Sequence, residues 1–191
     1  SWRYVSNKSN EILHKIINKK PELVKLTGQS LHKGMPLLNI IDAISDKNSY
    51  RILSLPELIV HKLGSSSNMV HSSFAASYGF YNIRESAWMH KLLKYLYPDN
   101  TFSLPRVFNN NESPYLGKIK FLDVSLRIYG GFGDLQTAIF GSQIDNDIIC
   151  INIGTGSQIV SICNDEFIPQ NNIDLKPFFG NYLKAITHIP A

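Results

Sequence analysis

The 191-residue sequence has few cysteines, no long apolar run and no strong excess of either charge. Two cysteines cannot form the disulfide framework of a small secreted domain, so a reducing, cytoplasmic compartment is expected. No segment approaches the roughly 18 consecutive apolar residues of a membrane span, and the first residues do not resemble a signal peptide. The 12 glycines and 9 prolines show no period, which excludes a collagen-like fibre.

The composition is that of one ordinary globular domain. Hydrophobic residues make up 43% of the sequence and charged residues 18%, so the chain can bury a core and is not disordered. Lysine and arginine outnumber aspartate and glutamate by 19 to 15, which gives a net charge of +4. The basic residues are dispersed, so nucleic-acid binding is the weakest interpretation. The six histidines lack metal-ligand spacing, and we expect no metal site built from them.

Hydrophobic periodicity and turn residues predict helices in the first half of the chain and strands in the second. Residues 69–81 are ambiguous. The predicted elements are helices at 9–20, 36–44, 55 to the Gly64 stop and 85–97, a strand at 125–129, a helix at 134–143, and strands at 148–153 and 158–163. The last two strands are separated by a glycine-containing turn, as in a β-hairpin. This order predicts an α/β or α+β fold with its sheet in the C-terminal half.

The first candidate site is the segment at 130–136 (GGFGDLQ), where the predicted strand turns into the predicted helix. The glycines permit a sharp turn and close approach of a substrate to the backbone. Asp134 falls at the helix start, where the positive end of the helix dipole favours the ionised carboxylate. Such a carboxylate can act as the general base for a substrate hydroxyl. Aspartate is also a preferred helix cap, so a purely structural role for Asp134 stays open.

The second candidate site is the turn between the last two predicted strands. Gly154, Thr155, Gly156 and Ser157 offer backbone N–H groups and hydroxyl donors that can bind phosphate oxygens. The segment is not a Walker sequence, because no Lys-Ser/Thr follows it and a strand, not a helix, comes next. A plain hairpin turn would use the same residues, and this alternative also stays open.

These two segments, in this order, resemble the FGGY carbohydrate kinases. That family has a G-x-G-D-Q/L-Q-x-A segment, then a strand and a G-T-G/S-x-Q/A hairpin, which correspond to residues 131–138 and 154–158. Residues 75–88 are similar to the family's A-S-x-x-x-F-D/N-x-x-x-x-x-W block, and residues 176–183 to its R-P-F-x-x-x-Y-L stretch. Leu135 makes the sequence most similar to the sedoheptulokinase branch.

The resemblance implies an α/β fold of the actin-like ATPase, RNase-H-like type, present here only in part. Residues 1–191 would be the later part of the N-terminal, sugar-binding domain, and the C-terminal nucleotide domain would lie outside the chain. The implied activity is ATP-dependent phosphorylation of a sugar hydroxyl, on a ketose such as sedoheptulose or a pentulose, with Mg²⁺. The chain alone would then be inactive, and a homodimer is compatible with the resemblance.

The same resemblance implies roles for the candidate residues. Asp134 would accept the proton of the sugar hydroxyl as that hydroxyl attacks the γ-phosphate of ATP. Gly133 and Gln136 would contact the sugar, and Gly154, Thr155, Gly156 and Ser157 would bind the phosphates.

The sequence also departs from the family. In place of the family's W-x-D-x-R motif, Tyr4 and Ser6 follow Trp2 where aspartate and arginine would stand, and Ser72 replaces a common aspartate. A second function therefore stays open, namely a non-catalytic sugar- or nucleotide-binding module on the same fold.

Overall fold

The structure is a computed structural model that describes residues 6–19, 22–44, 49–65, 67–153, 157–164, 166–169 and 172–189. Within these ranges most helices precede residue 97, and the longest strands follow residue 114. The predicted order of helices first, then strand, helix and hairpin, is confirmed.

The helices of the described chain begin at recognisable signals. They are α1 (Ser9–Lys19), α2 (Leu23–Thr27), α3 (Pro36–Ala43), α4 (Leu55–Lys62), α5 (Ser72–Ser77), α6 (His90–Leu96) and α7 (Asp134–Gly141). A proline lies in the first turn of α3 and of α4. Helix α4 also has a capping box, in which the Ser54 N–H donates to the Glu57 carboxylate at 2.7 Å and the Glu57 N–H donates to Ser54 Oγ. None of these helices has the length and apolarity needed to cross a membrane.

The strands form four pairs and one larger sheet in the described chain. The parallel pairs are β1 (Ser49–Arg51) with β5 (Thr101–Ser103) and β2 (Met69–His71) with β6 (Arg106–Phe108). The antiparallel pairs are β3 (Tyr81–Asn82) with β4 (Ala87–Trp88) and β7 (Tyr115–Phe121) with β8 (Val124–Tyr129). The large antiparallel sheet has the order β11–β12–β10–β9, with β9 (Ile149–Asn152), β10 (Ser157–Cys163), β11 (Asp174–Phe178) and β12 (Asn181–Ile189). The predicted hairpin is confirmed as β9 and β10.

One predicted helix is shorter in the structure than in the sequence analysis. The helical spacing extended over residues 85–97, but Ala87–Trp88 forms strand β4 and only His90–Leu96 is helical. The indole N–H of Trp88 donates to the Pro105 carbonyl at 2.8 Å. This long-range contact holds the tryptophan in a strand, so tertiary structure overrides the local helical pattern.

Helix α7 packs on the large sheet. Leu135 and Ile139 of this helix form one buried cluster with Val160 of β10 and with Leu183 and Ala185 of β12. Burial of these side chains is worth about 1.5–3 kcal/mol for each large aliphatic residue. The cluster therefore fixes α7 against the hairpin strand that begins at the second candidate site.

The two edges of the large sheet differ. On edge strand β9, Ile149 and Ile151 are 67% and 61% exposed, and Ile153, directly after the strand, is 81% exposed. The opposite edge strand, β11, contains Pro177, and the Asp174 carboxylate pairs there with Lys176 Nζ at 3.3 Å. Proline and charge protect a sheet edge against further strand pairing, whereas β9 has neither.

A glycine joins the end of α2 to the large sheet. Gly28 has a left-handed backbone (φ +77°), and its carbonyl accepts a hydrogen bond from the Leu175 N–H at 2.5 Å. A Cβ at this position would collide with the Leu175 carbonyl oxygen and the Ile83 side chain. The close approach of α2 to β11 therefore requires glycine.

We expect Gly28→Ala to lower the free energy of unfolding by about 2–5 kcal/mol, because backbone strain and overpacking add. Gly64→Ala is the matched control, since Gly64 is also left-handed (φ +97°) but has open space around its Cβ position. This control should lose only about 1–2 kcal/mol in urea denaturation. Equal losses in the two variants would contradict the packing role of Gly28.

Candidate active site

Asp134 is the first residue of α7, and its carboxylate is exposed to solvent. Gly133, not Asp134, occupies the N-cap position, and no side chain caps the helix. The Oδ1 atom of Asp134 accepts a hydrogen bond from the Leu135 N–H at 2.8 Å. The oxygens are not packed against hydrocarbon, so a substrate hydroxyl can reach the carboxylate.

The backbone beside Asp134 is held in place by a side chain from α5. Gly133 is buried, and its N–H donates to Ser73 Oγ at 2.9 Å. A Cβ at Gly133 would collide with the Gln136 side chain and press on Ser73 Oγ. The absence of a side chain at Gly133 thus allows this hydrogen bond and fixes the point at which α7 begins.

The same serine is bonded to a histidine at the end of β2. The Ser73 N–H donates to His71 Nδ1 at 3.2 Å, and Ser73 Oγ lies 2.7 Å from the same nitrogen. Because Nδ1 accepts the backbone N–H, the hydrogen-bond pattern assigns the imidazole proton to Nε2. The Ser73 hydroxyl then donates to Nδ1 and accepts from Gly133, which completes a chain of hydrogen bonds from β2 to α7.

His71 is fully buried among aromatic rings. The rings of Phe108, Phe132 and Phe179 lie 5.1, 4.9 and 5.4 Å from the imidazole, measured between ring centroids. Burial lowers the pKa of His71 to about 4, and the nearby Asn109 backbone opposes this only in part. His71 is therefore neutral near pH 7, as its acceptor role towards Ser73 requires.

Gln136, the other residue predicted to contact the sugar, is buried under α7. Its Nε2 atom donates to the Pro177 carbonyl at 3.1 Å and so ties the helix to β11. This contact gives Gln136 a structural role, and its contact with a sugar stays a prediction.

The second candidate site is described only at its last residue. Gly154, Thr155 and Gly156 lie outside the described residues, as do Trp2 and Tyr4 of the altered N-terminal motif. Ser157 is half-buried and begins β10. Because α7 packs on β10, Asp134 and Ser157 belong to one packed unit. Phosphate binding by residues 154–157 stays a prediction.

A separate open groove of about 1020 Å³ lies between α3 and β11. Its polar lining includes Asn39 from α3 and the Asp174 and Lys176 side chains from β11. Asp134 does not line it. Although the groove is large, it is therefore not the place where a substrate would contact the Asp134 carboxylate.

The sequence analysis missed His71 and Ser73. The histidines were considered only as metal ligands, and the described residues contain no cluster of three or more His, Cys, Asp or Glu side chains that could hold a metal ion. The sequence offers little signal for this contact, although His71 lies directly before α5 at the N-cap position. Histidine is not among the residues preferred at that position, so sequence rules do not point to it.

The fold is similar to that of several sugar kinases of known structure. The structure matches xylulose kinase from Lactobacillus acidophilus with a TM-score of 0.69 and 19% identity over 94% of this chain. It matches xylulose kinase from Bifidobacterium adolescentis with a TM-score of 0.74, 13% identity and 97% coverage. Glycerol kinase from Plasmodium falciparum, determined with ADP, gives a TM-score of 0.76, 15% identity and 95% coverage.

The chain spans 39% of the Lactobacillus kinase, 47% of the Bifidobacterium kinase and 40% of the Plasmodium kinase. No family model and no curated protein matches the sequence. At this level of identity the likeness concerns the fold. The chain therefore has part of the actin-like ATPase fold found in these kinases, as the resemblance implied.

The buried His71 makes stability depend on pH. Its pKa in the folded protein, about 4, lies below the ordinary value of 6.5, so the unfolded state binds more protons between these values. Stability should therefore fall as the pH is lowered through this window, by up to about 3 kcal/mol.

Urea denaturation at pH 7 and pH 4.5 measures this loss. We expect the loss to shrink in His71→Asn, which cannot titrate, and to persist in His90→Asn, since His90 is exposed. An equal loss in the wild type and in His71→Asn would assign the pH dependence to other groups.

Proposed function

We propose that this chain is part of an ATP-dependent carbohydrate kinase in which Asp134 is the general base. The observation that carries this proposal is the exposed Asp134 carboxylate at the start of α7, next to a buried glycine whose N–H is bound by Ser73. The fold shared with xylulose and glycerol kinases supports the same class of reaction.

The proposed step is phosphoryl transfer to a sugar hydroxyl. Asp134 accepts the hydroxyl proton, the hydroxyl oxygen forms a bond to the γ-phosphorus of ATP, and the bond between that phosphorus and the ADP oxygen breaks. Such a reaction depends mainly on positioning. The hydrogen-bond chain from His71 through Ser73 to Gly133 supplies positioning here, because it fixes the backbone one residue before the base.

We propose a ketose, such as sedoheptulose or a pentulose, as the acceptor. Residues 1–191 then form the later part of the sugar-binding domain, and the nucleotide domain lies outside the chain. Residues 154–157 bind the phosphates of ATP. We also propose that the protein is cytoplasmic and forms a homodimer.

Magnesium fits such a site only when it is shared with the nucleotide. Mg²⁺ is commonly held by one or two carboxylates, substrate phosphates and water. Asp134 offers one exposed carboxylate. When bound with ATP, the ion would neutralise phosphate charge, while this chain contributes the base and its position.

The second candidate function is a sugar- or nucleotide-binding module without catalysis. The replacement of the family's aspartate and arginine by Tyr4 and Ser6 favours it, as does Ser72 in place of an aspartate. This module would keep the fold and bind a ligand without transferring phosphate.

In the full-length protein we expect Asp134→Asn to reduce phosphoryl transfer by at least about 100-fold, because general-base catalysis typically contributes 10²–10⁴-fold. Transfer from radiolabelled ATP to candidate ketoses measures this loss. Asp123→Asn is the matched control, since Asp123 is an exposed carboxylate in the β7–β8 turn, and it should retain full activity.

Near-normal turnover in Asp134→Asn would refute the assignment of the base. Absence of transfer in the wild-type protein, together with saturable sugar or nucleotide binding, would instead identify the non-catalytic module.

A further inference from the structure

A polar cavity of about 170 Å³ lies between the β3–β4 pair and the turn that joins β11 to β12. Ser72 and Tyr81 form part of its buried floor, and the exposed residues Ser86, Asn109 and Asn181 form its mouth. Asp134 is not among its lining residues, so the cavity is separate from the candidate active site.

The floor of the cavity contains a tyrosine hydroxyl without a well-formed hydrogen bond. Tyr81 is fully buried, and its hydroxyl makes no hydrogen bond of normal geometry in the described chain, although the Ser86 side chain is a weak hydrogen-bonding neighbour. Buried polar groups in folded proteins almost always have a partner, either a protein group or an ordered molecule. Burial also raises the pKa of Tyr81, so the phenol stays neutral and can both donate and accept.

The mouth of the cavity is arranged by the backbone at Ser86. This residue has a left-handed conformation (φ 51°), which is uncommon outside glycine. The Asn109 side-chain amide donates to Ser86 Oγ at 3.1 Å. The bond brings a hydroxyl and a carboxamide together at the entrance, and Ser86 also interacts weakly with the Tyr81 hydroxyl.

The lining selects a class of ligand. The cavity wall contains hydroxyl and carboxamide groups but no charged side chain from the described residues, so an ion would lose its hydration without a counter-charge. Its volume of about 170 Å³ has room for several water molecules. We propose that this cavity binds a small neutral polyol of about glycerol size, with one ligand hydroxyl bonded to Tyr81.

Titration of the ¹⁵N-labelled chain with glycerol, in a buffer otherwise free of polyols, tests this site by NMR. We expect saturable shifts of the Ser86, Asn109 and Asn181 amide signals. Tyr81→Phe removes only the hydroxyl and should weaken binding about three- to tenfold. Tyr95→Phe is the matched control, because its hydroxyl is also buried and unpartnered but lies at a different cavity, so affinity should not change.

Asn109→Ala, at the exposed mouth, is a second variant that should also weaken binding. It keeps the test usable if Tyr81→Phe proves poorly folded. Shifts that rise linearly with glycerol and are equal in the wild type and both variants would show a cavity that holds only water, and so would overturn the site. Shifts confined to α7 and abolished by Asp134→Asn would overturn it in favour of binding at the candidate active site. Stronger saturable shifts with inorganic phosphate would overturn the assignment to a neutral ligand.

Discussion

One oxygen atom, Ser73 Oγ, joins the parts of the candidate active site. It accepts the Gly133 N–H and donates to His71 Nδ1, so strand β2, helix α5 and the start of α7 are bound at a single point. The arrangement depends on a neutral imidazole, and the surrounding phenylalanine rings keep it neutral by excluding water. Protonation would turn the accepting nitrogen into a donor that faces the Ser73 N–H, which would weaken the link between these elements. The position of the Asp134 carboxylate thus follows from the chemistry of a histidine that a substrate need not touch.

Local signals in the sequence were sufficient for much of the fold. Helix α4 follows from Ser54, Pro56 and Glu57, which supply a cap, a favourable first turn and a capping box within four residues. The hairpin of β9 and β10 follows from two β-rich runs around glycines. The three-residue strands β1, β2, β5 and β6 were not predicted, because so few residues cannot establish a period. Strand β11 was also missed, since Pro177 argues locally against a strand and is tolerated only because β11 lies at the edge.

Part of the candidate site could be predicted from residues close together in the sequence, and part depends on contacts between residues far apart in it. Asp134 could be placed at a helix start because glycines and a following apolar pattern mark the boundary within a few residues. The bond between Ser73 and Gly133 joins residues 60 positions apart, and spacing along the sequence carries no information about such a pair. The kinases with the same fold share only 13–19% of their residues with this chain in the three comparisons described. Backbone architecture is retained at that distance, whereas the side chains that hold a catalytic backbone in place can be replaced.

The unequal edges of the large sheet limit how copies of this chain can meet. Strand β11 ends the sheet with a proline that lacks an N–H donor and with an aspartate–lysine pair that is costly to desolvate. At the other edge, strand β9 has no further strand paired to it within the described residues, and its isoleucine side chains are exposed to solvent. If the large sheet were extended between two molecules, β9 of one would therefore pair with β9 of the other. Within the described residues, this pairing would use the only receptive edge of each molecule's large sheet. Such growth would give a closed two-fold pair and not an open-ended filament, because a polymer would need a second receptive edge on every subunit.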